Sequence, residues 1–290
     1  MTVLRDFVFD GPEGAIAAST GGEGPPVLLL HGFPQTRAMW RPIAARLITA
    51  GFRVVTADLR GYGASHKPLN GNDYSFRAMA GDLVALMNHQ GYGRFHLVGH
   101  DRGARVAHRL ALDVRDDRLL SLTLMDIVPT HLILSDLKQR VARAYYHWFF
   151  LAQPAPFPET MIGHDPAAFY ESCLLGWGAA KLADFDAALM AEYRAAWADP
   201  EVTRGMCADY RATLDHDFAL DSSDVNRILD LPSLILFGAD GAMARAYDVP
   251  ATWAPRLSRM TAAGIPGGHF FPDTAPEATA DALIRFLSAR

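Results

Sequence analysis

The sequence contains few cysteines and no long hydrophobic run. Cys173 and Cys207 are the only cysteines among 290 residues, too few for a disulfide framework or a cysteine-based zinc site. No uninterrupted apolar segment approaches the roughly 18 residues needed to span a bilayer. The amino-terminal residues M-T-V-L-R-D-F-V-F-D lack the apolar core of a signal peptide. We therefore expect a cytoplasmic protein that has no membrane partner.

Positive charge is also scarce. The chain carries 27 Lys and Arg against 32 Asp and Glu, a net charge of −5, with no run of basic residues, which argues against a nucleic-acid partner. His96 and His100 lie four apart, but on a strand-like segment without acidic or thiol partners. Gly61-Tyr62-Gly63 lacks the third glycine of a dinucleotide fingerprint. We accordingly expect no metal and no cofactor.

What the sequence does contain is a repeated alternation of strand-like and helix-like segments, which is typical of an α/β fold. The turn D-G-P-E-G between the first two strand-like runs predicts a hairpin. The later runs are almost continuously apolar, as expected for parallel strands covered on both faces. The predicted strands are Phe7–Phe9, Ala15–Ser19, Val27–Leu30, Arg53–Ala57, Phe95–Val98, Leu120–Met125, Ser233–Phe237 and Met260–Ala263, and clear helical patterns cover Arg77–Gln90 and Arg102–Asp113.

This alternation stops between residues 130 and 228. The segment has helical patterns but no strand-like run, and it is interrupted by Pro154, Pro156, Pro158, Pro166 and Pro200. Strand–helix alternation then resumes at Leu231. We predict a single α/β core formed by residues 1–129 and 229–290, with residues 130–228 inserted as a helical cap.

The segment L-V-G-H-D-R-G-A-R-V-A, Leu97 to Ala107, has the layout of a nucleophile elbow. In that motif, G-x-S-x-G, the nucleophile stands at a sharp strand-to-helix turn. Here Asp101 occupies the serine position. A carboxylate that attacks a carbon with a leaving group forms a covalent ester. Breaking that ester then needs a base to activate water and donors to hold the oxyanion.

Candidates for both roles occur in the expected order along the chain. His269, in G-I-P-G-G-H-F-F, follows the last predicted strand and is the candidate base. The backbone N–H groups of Phe33 and Arg102 are the candidate oxyanion donors. The acid that orients His269 is Asp126 or Asp240, because each follows a predicted strand. The competing interpretation for either aspartate is a turn residue that binds its own backbone.

Arg102 and Arg105 lie three apart in the first turn of the helix that Asp101 opens. Cations are mildly unfavourable at a helix N-terminus, so their presence calls for a reason. The guanidinium group matches the geometry of a carboxylate, which indicates a clamp for an acidic substrate. Spacing alone equally permits solvated surface arginines, or a salt bridge to Asp126 or another acid.

The cap contains the aromatic segment R-A-Y-Y-H-W-F-F, Arg143 to Phe150. Aromatic residues at helical spacing are most often part of a hydrophobic core. His147 and Trp148 nevertheless bring N–H donors, and a buried indole N–H usually has a partner. The segment is therefore a candidate for holding a leaving group.

Taken together, these motifs resemble those of the haloacetate dehalogenases of the α/β-hydrolase superfamily. The resemblance runs through H-G-F-P-Q, A-D-L-R-G-Y-G, G-H-D-R-G-A-R, M-D-I-V-P-T, H-W-F-F and P-G-G-H-F. It implies an α/β-hydrolase fold, with an eight-stranded mostly parallel sheet and a helical cap inserted after the sixth strand. It also implies a possible homodimer. The implied reaction converts haloacetate and other short 2-haloalkanoic acids to 2-hydroxy acids through an aspartyl ester.

The same resemblance assigns roles to individual residues. It favours Asp126 over Asp240 as the partner of His269. It makes Arg102 and Arg105 the carboxylate clamp. It extends a halide-binding role to His147, Trp148 and Tyr210, the last in C-A-D-Y-R-A.

Two other functions remain open from the sequence. An epoxide hydrolase would use the same Asp101 and His269 but needs two cap tyrosines, drawn from Tyr145, Tyr146, Tyr193 and Tyr210. The paired arginines argue against it, because a neutral epoxide gains nothing from a carboxylate clamp. A non-catalytic receptor with the same fold is the second alternative, and an apparently complete triad argues against it.

Overall fold

The fold is built on one eight-stranded sheet. The computed structural model describes residues 4–69, 71–114, 117–176 and 180–289. The strand order is β1-β2-β4-β3-β5-β6-β7-β8, which confirms the predicted sheet. The strands are β1 (Arg5–Gly11), β2 (Gly14–Gly21), β3 (Pro26–Leu30), β4 (Arg53–Ala57), β5 (Phe95–His100), β6 (Leu119–Met125), β7 (Leu229–Gly238) and β8 (Leu257–Ile265).

Antiparallel pairing is confined to the edge of the sheet that contains β1 and β2. β1 and β2 form the predicted hairpin, with Gly11 opposite Gly14, and β2 also runs antiparallel to β4. From β4 to β8 all neighbouring strands are parallel. Parallel strands end at the same edge of a sheet, so the residues that follow β5, β6, β7 and β8 are brought to one edge.

β7 and β8 extend furthest beyond the apolar runs that predicted them. β8 extends beyond Met260–Ala263 because it is an edge strand with mostly exposed side chains, which an apolar run does not reveal. β7 begins at Leu229 and passes through Pro232, where its pairing with β8 shifts register. A proline is tolerated at such an irregularity, although in a sequence it resembles the end of a strand.

Helices cover the sheet, and the regular elements described in the inserted segment are all helical. Among the described residues between β6 and β7 there is no strand, as predicted for the cap, whose boundaries at 130 and 228 stay a prediction. A π-helix, Thr213–Asp217, continues α10. The helices are α1 (Arg41–Thr49), α2 (Phe76–His89), α3 (Arg102–Asp113), α4 (Thr130–Ser135), α5 (Gln139–Ala144), α6 (His147–Leu151), α7 (Phe157–Gly163), α8 (Pro166–Gly176), α9 (Ala187–Trp197), α10 (Pro200–Ala212), α11 (Phe218–Ser223), α12 (Ala242–Ala246), α13 (Val249–Trp253), α14 (Phe271–Thr274) and α15 (Pro276–Leu287).

The hydrophobic core lies on both faces of the central strands. Every residue of β5 is buried, as are Val27 to Leu30 of β3. α1 packs against α15, and α2 packs against α3, in the layers over the sheet. None of the helices within the described ranges has the length and apolar content required to cross a membrane.

The turn from β5 into α3 places Asp101 in an unusual backbone conformation. Its φ is 47° and its ψ is −113°, a sparsely populated region for a residue other than glycine. The turn is possible because two glycines permit close backbone contact. A Cβ on Gly99 would lie 2.6 Å from the Cα of Ala104, and one on Gly103 would lie 2.5 Å from the carbonyl oxygen of Leu30. The G-x-D-x-G spacing therefore has a steric cause.

We expect Gly103→Ala to destabilise the protein by about 1–3 kcal/mol, because the added methyl group has no room against the backbone of Leu30. Gly81→Ala is the matched control. Gly81 lies inside α2, where an added Cβ meets nothing within 4 Å, and alanine there should stabilise the helix. Thermal unfolding of both variants checks this, and an equal melting temperature for the two would contradict the steric explanation.

Candidate active site

Three polar side chains meet at the carboxyl edge of the sheet. Asp101 follows β5, Asp126 follows β6 and His269 follows β8. Nδ1 of His269 lies 2.6 Å from Oδ2 of Asp126, and its Nε2 lies 3.8 Å from Oδ1 of Asp101. All three residues are buried. This is the geometry of a nucleophile, a base and an orienting acid.

The structure favours Asp126 as the partner of His269. Oδ1 of Asp126 accepts a hydrogen bond of 2.9 Å from the backbone N–H of Gly238, which leaves Oδ2 for the imidazole. Asp240 is exposed, and its carboxylate accepts from the backbone N–H of Gly267 at 3.2 Å. Asp240 is therefore a loop residue that binds nearby backbone, the competing interpretation given above.

One predicted oxyanion donor already contacts the nucleophile. The backbone N–H of Phe33 donates to Oδ2 of Asp101 at 3.0 Å. Oδ1 of Asp101 is the oxygen that faces His269. The two oxygens of this carboxylate thus lie in different environments, which suits a nucleophile whose second oxygen later carries charge.

The surrounding charges set the protonation states of this pair. Burial opposes ionisation of Asp101, but the positive charges of His269, Arg102 and Arg105 outweigh it and lower the pKa of Asp101. Burial likewise opposes protonation of His269. The hydrogen bond to Asp126, with the charges of Asp126 and Asp101, outweighs that effect and raises the pKa of His269 above its ordinary value. The carboxylate is therefore the stable form of Asp101.

Arg102 is held by an acid that the sequence analysis did not identify. Its Nε donates to Oδ2 of Asp209 at 2.9 Å, and its Nη2 donates to Asp209 and to Thr213. Tyr62 also donates to Asp209, at 2.6 Å. Arg102 therefore forms a salt bridge to an acid other than Asp126, as one alternative from the sequence allowed. Its Nη1 nevertheless has no acceptor among the residues that the structure describes.

Arg105 is held by neutral groups. Its Nη1 donates to the carbonyl of Val128 at 3.1 Å and to the hydroxyl of Thr130 at 3.0 Å. Burial lowers the pKa of Arg105 to about 10, so the side chain is still a cation at neutral pH. Its Nε has no acceptor within the described ranges. Both arginines are buried, which excludes the alternative of solvated surface arginines.

The cap places three predicted side chains over the elbow. The imidazole of His147 stacks on Phe33 at 5.4 Å, and Tyr210 meets Phe33 edge-on at 5.3 Å. The ring of Trp148 lies 5.7 Å from that of Tyr210 and 4.6 Å from the guanidinium of Arg105. His147, Trp148 and Tyr210 are all buried. They form one wall of the site, and their aromatic packing is part of how that wall is built.

The protonation states of these side chains determine which hydrogen bonds they can donate. Burial lowers the pKa of His147 well below its ordinary value, so its imidazole is neutral at pH 7. Burial, followed by the charge of Asp101, raises the pKa of Tyr210 well above its ordinary value, so its hydroxyl keeps its proton. Neither the Tyr210 hydroxyl nor the Trp148 indole N–H has a hydrogen-bond partner in the described part of the chain.

The four tyrosines considered for epoxide opening separate into two pairs. Tyr146 is half exposed, and the hydroxyl of Tyr193 donates to Asp273 at 2.8 Å. Tyr145 is buried, with its ring 6.2 Å from that of His269, and Tyr210 belongs to the wall described above. Only Tyr145 and Tyr210 of these four therefore lie at the site.

Asp209 is the main functional residue that sequence reasoning missed. It directly precedes Tyr210 on α10, in the segment C-A-D-Y-R-A. Met206, Asp209, Tyr210 and Thr213 recur at helical spacing, and all four are buried. An acid on an otherwise buried helix face is a signal of a charged partner. The sequence, however, did not indicate which cation that partner is.

Comparison with known proteins agrees with this architecture. The model of the α/β hydrolase fold family matches residues 25–276. A fluoroacetate dehalogenase from Burkholderia sp. is 51% identical over 271 residues, which cover 92% of this chain and 88% of that protein. A soluble epoxide hydrolase from Corynebacterium sp. (strain C12) is 29% identical, over 93% of this chain and 92% of that protein.

A solved structure extends the likeness to the whole fold. A protein from Nostoc sp. PCC 7120, described as an α/β hydrolase, superposes with a TM-score of 0.94. It is 44% identical, and the match covers 98% of each chain. The family model spans most of the sequence, and the sheet order, the elbow and the helical insertion agree with it. The chain therefore belongs to the α/β-hydrolase fold family.

Proposed function

We propose that this protein is a hydrolytic dehalogenase that converts haloacetate and other short 2-haloalkanoic acids to 2-hydroxy acids and halide. The observation that carries this proposal is the pair of buried cations beside an elbow aspartate. Nη1 of Arg102 and Nε of Arg105 have no acceptor among the described residues. A substrate carboxylate supplies the acceptors that these donors lack. The similarity to a fluoroacetate dehalogenase supports the same substrate class.

The first step is displacement of the halide at the α-carbon. Arg102 and Arg105 hold the substrate carboxylate, and Oδ1 of Asp101 attacks the adjacent carbon. The carbon–halogen bond breaks with its electron pair on the halogen, and an ester forms at Asp101. The N–H and O–H donors of His147, Trp148 and Tyr210 stabilise the departing halide. Because this halide leaves as an anion, it needs hydrogen bonds but no proton.

The second step releases the product. His269 takes a proton from water, and the resulting hydroxide attacks the carbonyl carbon of the Asp101 ester. The oxygen held by the N–H of Phe33 carries the negative charge of the tetrahedral adduct, and Arg102 N–H is the second proposed donor. Asp126 stabilises the imidazolium that forms. As the adduct collapses, the bond between the carbonyl carbon and the α-oxygen breaks with its electron pair on that oxygen, and the imidazolium of His269 returns its proton there. The second proton of water leaves the restored Asp101 carboxyl for solvent, the 2-hydroxy acid is freed, and water is the only co-substrate.

The two alternatives fit the site less well. A neutral epoxide offers no charged acceptor to Nη1 of Arg102 or to Arg105, whose own partners are neutral. A non-catalytic receptor has no need of the short His269–Asp126 hydrogen bond beside the elbow. The cytoplasmic location, the possible homodimer and the absence of nucleic-acid and membrane partners stay predictions from composition and resemblance.

We expect Asp101→Asn to lower halide release from chloroacetate and fluoroacetate by about 10³-fold or more, since the nucleophile is lost. Asp240→Asn makes the same substitution at the exposed alternative aspartate and should retain activity. Halide release by purified proteins is the measurement, with mass spectrometry to verify that the asparagine persists. Substantial turnover by the Asp101 variant would refute its role.

A chiral substrate should be inverted at its α-carbon. One displacement by Asp101 inverts that carbon, and the second step breaks a bond at the aspartyl carbonyl, so it leaves the stereocentre unchanged. Chiral chromatography of the 2-hydroxypropanoate formed from one enantiomer of 2-chloropropanoate tests this. Retention of configuration would contradict the mechanism.

The two steps should differ in pH dependence. The pKa of Asp101 is lowered, so alkylation persists as the pH falls. Ester hydrolysis needs His269 in its neutral form, because a protonated imidazole cannot act as a base, so this step should slow as the pH falls through the pKa of His269 in the ester. The hydrogen bond and the charge of Asp126, which raise that pKa, persist in the ester, whereas the charge of Asp101 is lost. Rapid-quench experiments that follow first-turnover halide release and ester decay separate the steps. Parallel loss of both rates with acid would argue against this division of labour.

A further inference from the structure

The donors around the leaving-group position are chemically unequal. His147 offers a neutral imidazole and Trp148 an indole N–H, both of which give up a proton only with great difficulty. Tyr210 offers a phenol, which is far more acidic than either. The Tyr210 hydroxyl is buried, and it has no hydrogen-bond partner in the described ranges. A halide makes no use of that acidity, because it leaves as a stable anion.

An epoxide oxygen, in contrast, leaves as an alkoxide and requires a proton. A neutral epoxide fits the site poorly because it offers no charged acceptor to Nη1 of Arg102 or to Arg105. An epoxide with a carboxylate on one ring carbon removes that objection. Its α-carbon bears both a carboxylate and a leaving oxygen, as the α-carbon of a 2-halo acid bears a carboxylate and a halogen.

We propose that the same site hydrolyses short 2,3-epoxy carboxylic acids, such as 2,3-epoxypropanoate, with Asp101 as nucleophile and Tyr210 as the proton donor to the ring oxygen. This inference rests on the proposed dehalogenase function, because it uses the same nucleophile, base and clamp. The product is the 2,3-dihydroxy acid.

In the first step the ring opens at the α-carbon. Oδ1 of Asp101 forms an ester bond to that carbon, and the carbon–oxygen bond of the ring breaks with its electron pair on oxygen. The Tyr210 hydroxyl transfers its proton to this oxygen. The oxygen stays bonded to carbon 3 and becomes the 3-hydroxyl group. The step leaves a β-hydroxy ester on Asp101 and a tyrosinate at Tyr210.

In the second step water cleaves the ester. His269 accepts one proton as the oxygen of water adds to the aspartyl carbonyl carbon, and the ester bond then breaks with its electron pair on the α-oxygen. Of the two protons that water supplies, one reaches the α-oxygen and the other restores Tyr210. One water is therefore added, and the enzyme returns to its starting state.

The electrostatics of the site support this role for Tyr210. The guanidinium of Arg102 lies 4.3 Å from the centre of the Tyr210 ring, where its charge stabilises a tyrosinate. Burial opposes that tyrosinate most strongly, and the charges of Asp101 and Asp209 also oppose it; esterification removes the charge of Asp101 in the same step. Proton donation thus becomes easier at the moment when the ring oxygen needs the proton.

The first test offers racemic 2,3-epoxypropanoate and chloroacetate to the purified enzyme. We expect the dihydroxy acid from the epoxide and halide from chloroacetate, with both lost in Asp101→Asn. Halide release without any dihydroxy acid above the uncatalysed rate would overturn this inference and leave the dehalogenase function intact. If the unmodified enzyme releases no halide and forms no dihydroxy acid, the proposed dehalogenase function is overturned as well.

The second test separates proton donation from simple hydrogen bonding. Tyr210→Phe should lower kcat/KM for the epoxide by about 100-fold or more, the usual contribution of a general acid. It should lower kcat/KM for bromoacetate by less than about 20-fold, as for one lost hydrogen bond. Tyr146→Phe, at a half-exposed cap tyrosine, should change neither. Equal losses for the two substrates in Tyr210→Phe would refute the donor role.

The third test locates the attacked carbon. Multiple turnovers in ¹⁸O-labelled water should place the label at carbon 2 of the dihydroxy acid, because Asp101 delivers its oxygen to the α-carbon. Mass spectrometry of product fragments reads this position. Label at carbon 3 would overturn the proposed geometry, since the arginine clamp would then not define the reacting carbon.

Discussion

The buried ion pair between Arg102 and Asp209 connects the α/β core to the helical cap at the candidate active site. Arg102 is the first residue of α3, directly after the nucleophile, and Asp209 lies on α10 of the cap. Neither side chain is exposed. Removal of one partner from such a pair leaves an uncompensated buried charge, which typically costs about 3–5 kcal/mol. Tyr210, next to Asp209, is therefore held over the elbow by the same interaction that holds the guanidinium.

Because of this pairing, the two arginines have partners of different charge. Asp209 balances the charge of Arg102, whereas Arg105 is bound by a carbonyl and a hydroxyl, which carry no net charge. Asp101 and Arg105 are then the charges that a ligand meets without a dedicated structural counterion. An incoming carboxylate adds one negative charge beside a nucleophile that is itself negative. In the proposed mechanism, the positive charge of Arg105 offsets this repulsion.

The α/β core positions the nucleophile, whereas the cap carries the side chains around the proposed leaving-group position. The elbow, His269 and Asp126 belong to the core, and relatives that act on epoxides share the family. In the proposed reactions, the cap supplies the groups that receive the leaving atom. A halide requires only donors, whereas an alkoxide requires a transferable proton. In the proposed reactions, the difference between these chemistries therefore lies in Tyr210 and its neighbours, while the nucleophile, base and arginines stay the same.

The sequence by itself determined the α/β architecture, the helical insertion and the elbow at Asp101, because these follow from local patterns. The glycines of G-x-D-x-G are sterically required within a few residues of the nucleophile. The family resemblance favoured Asp126 over Asp240 as the partner of His269, but both aspartates follow strands, so local patterns did not distinguish them. The tertiary structure decided between them through the direction of the carboxylate. It alone also paired Arg102 with Asp209, which is 107 positions away in the chain. A partner at that separation is set by how the cap packs on the core, and no local pattern encodes it.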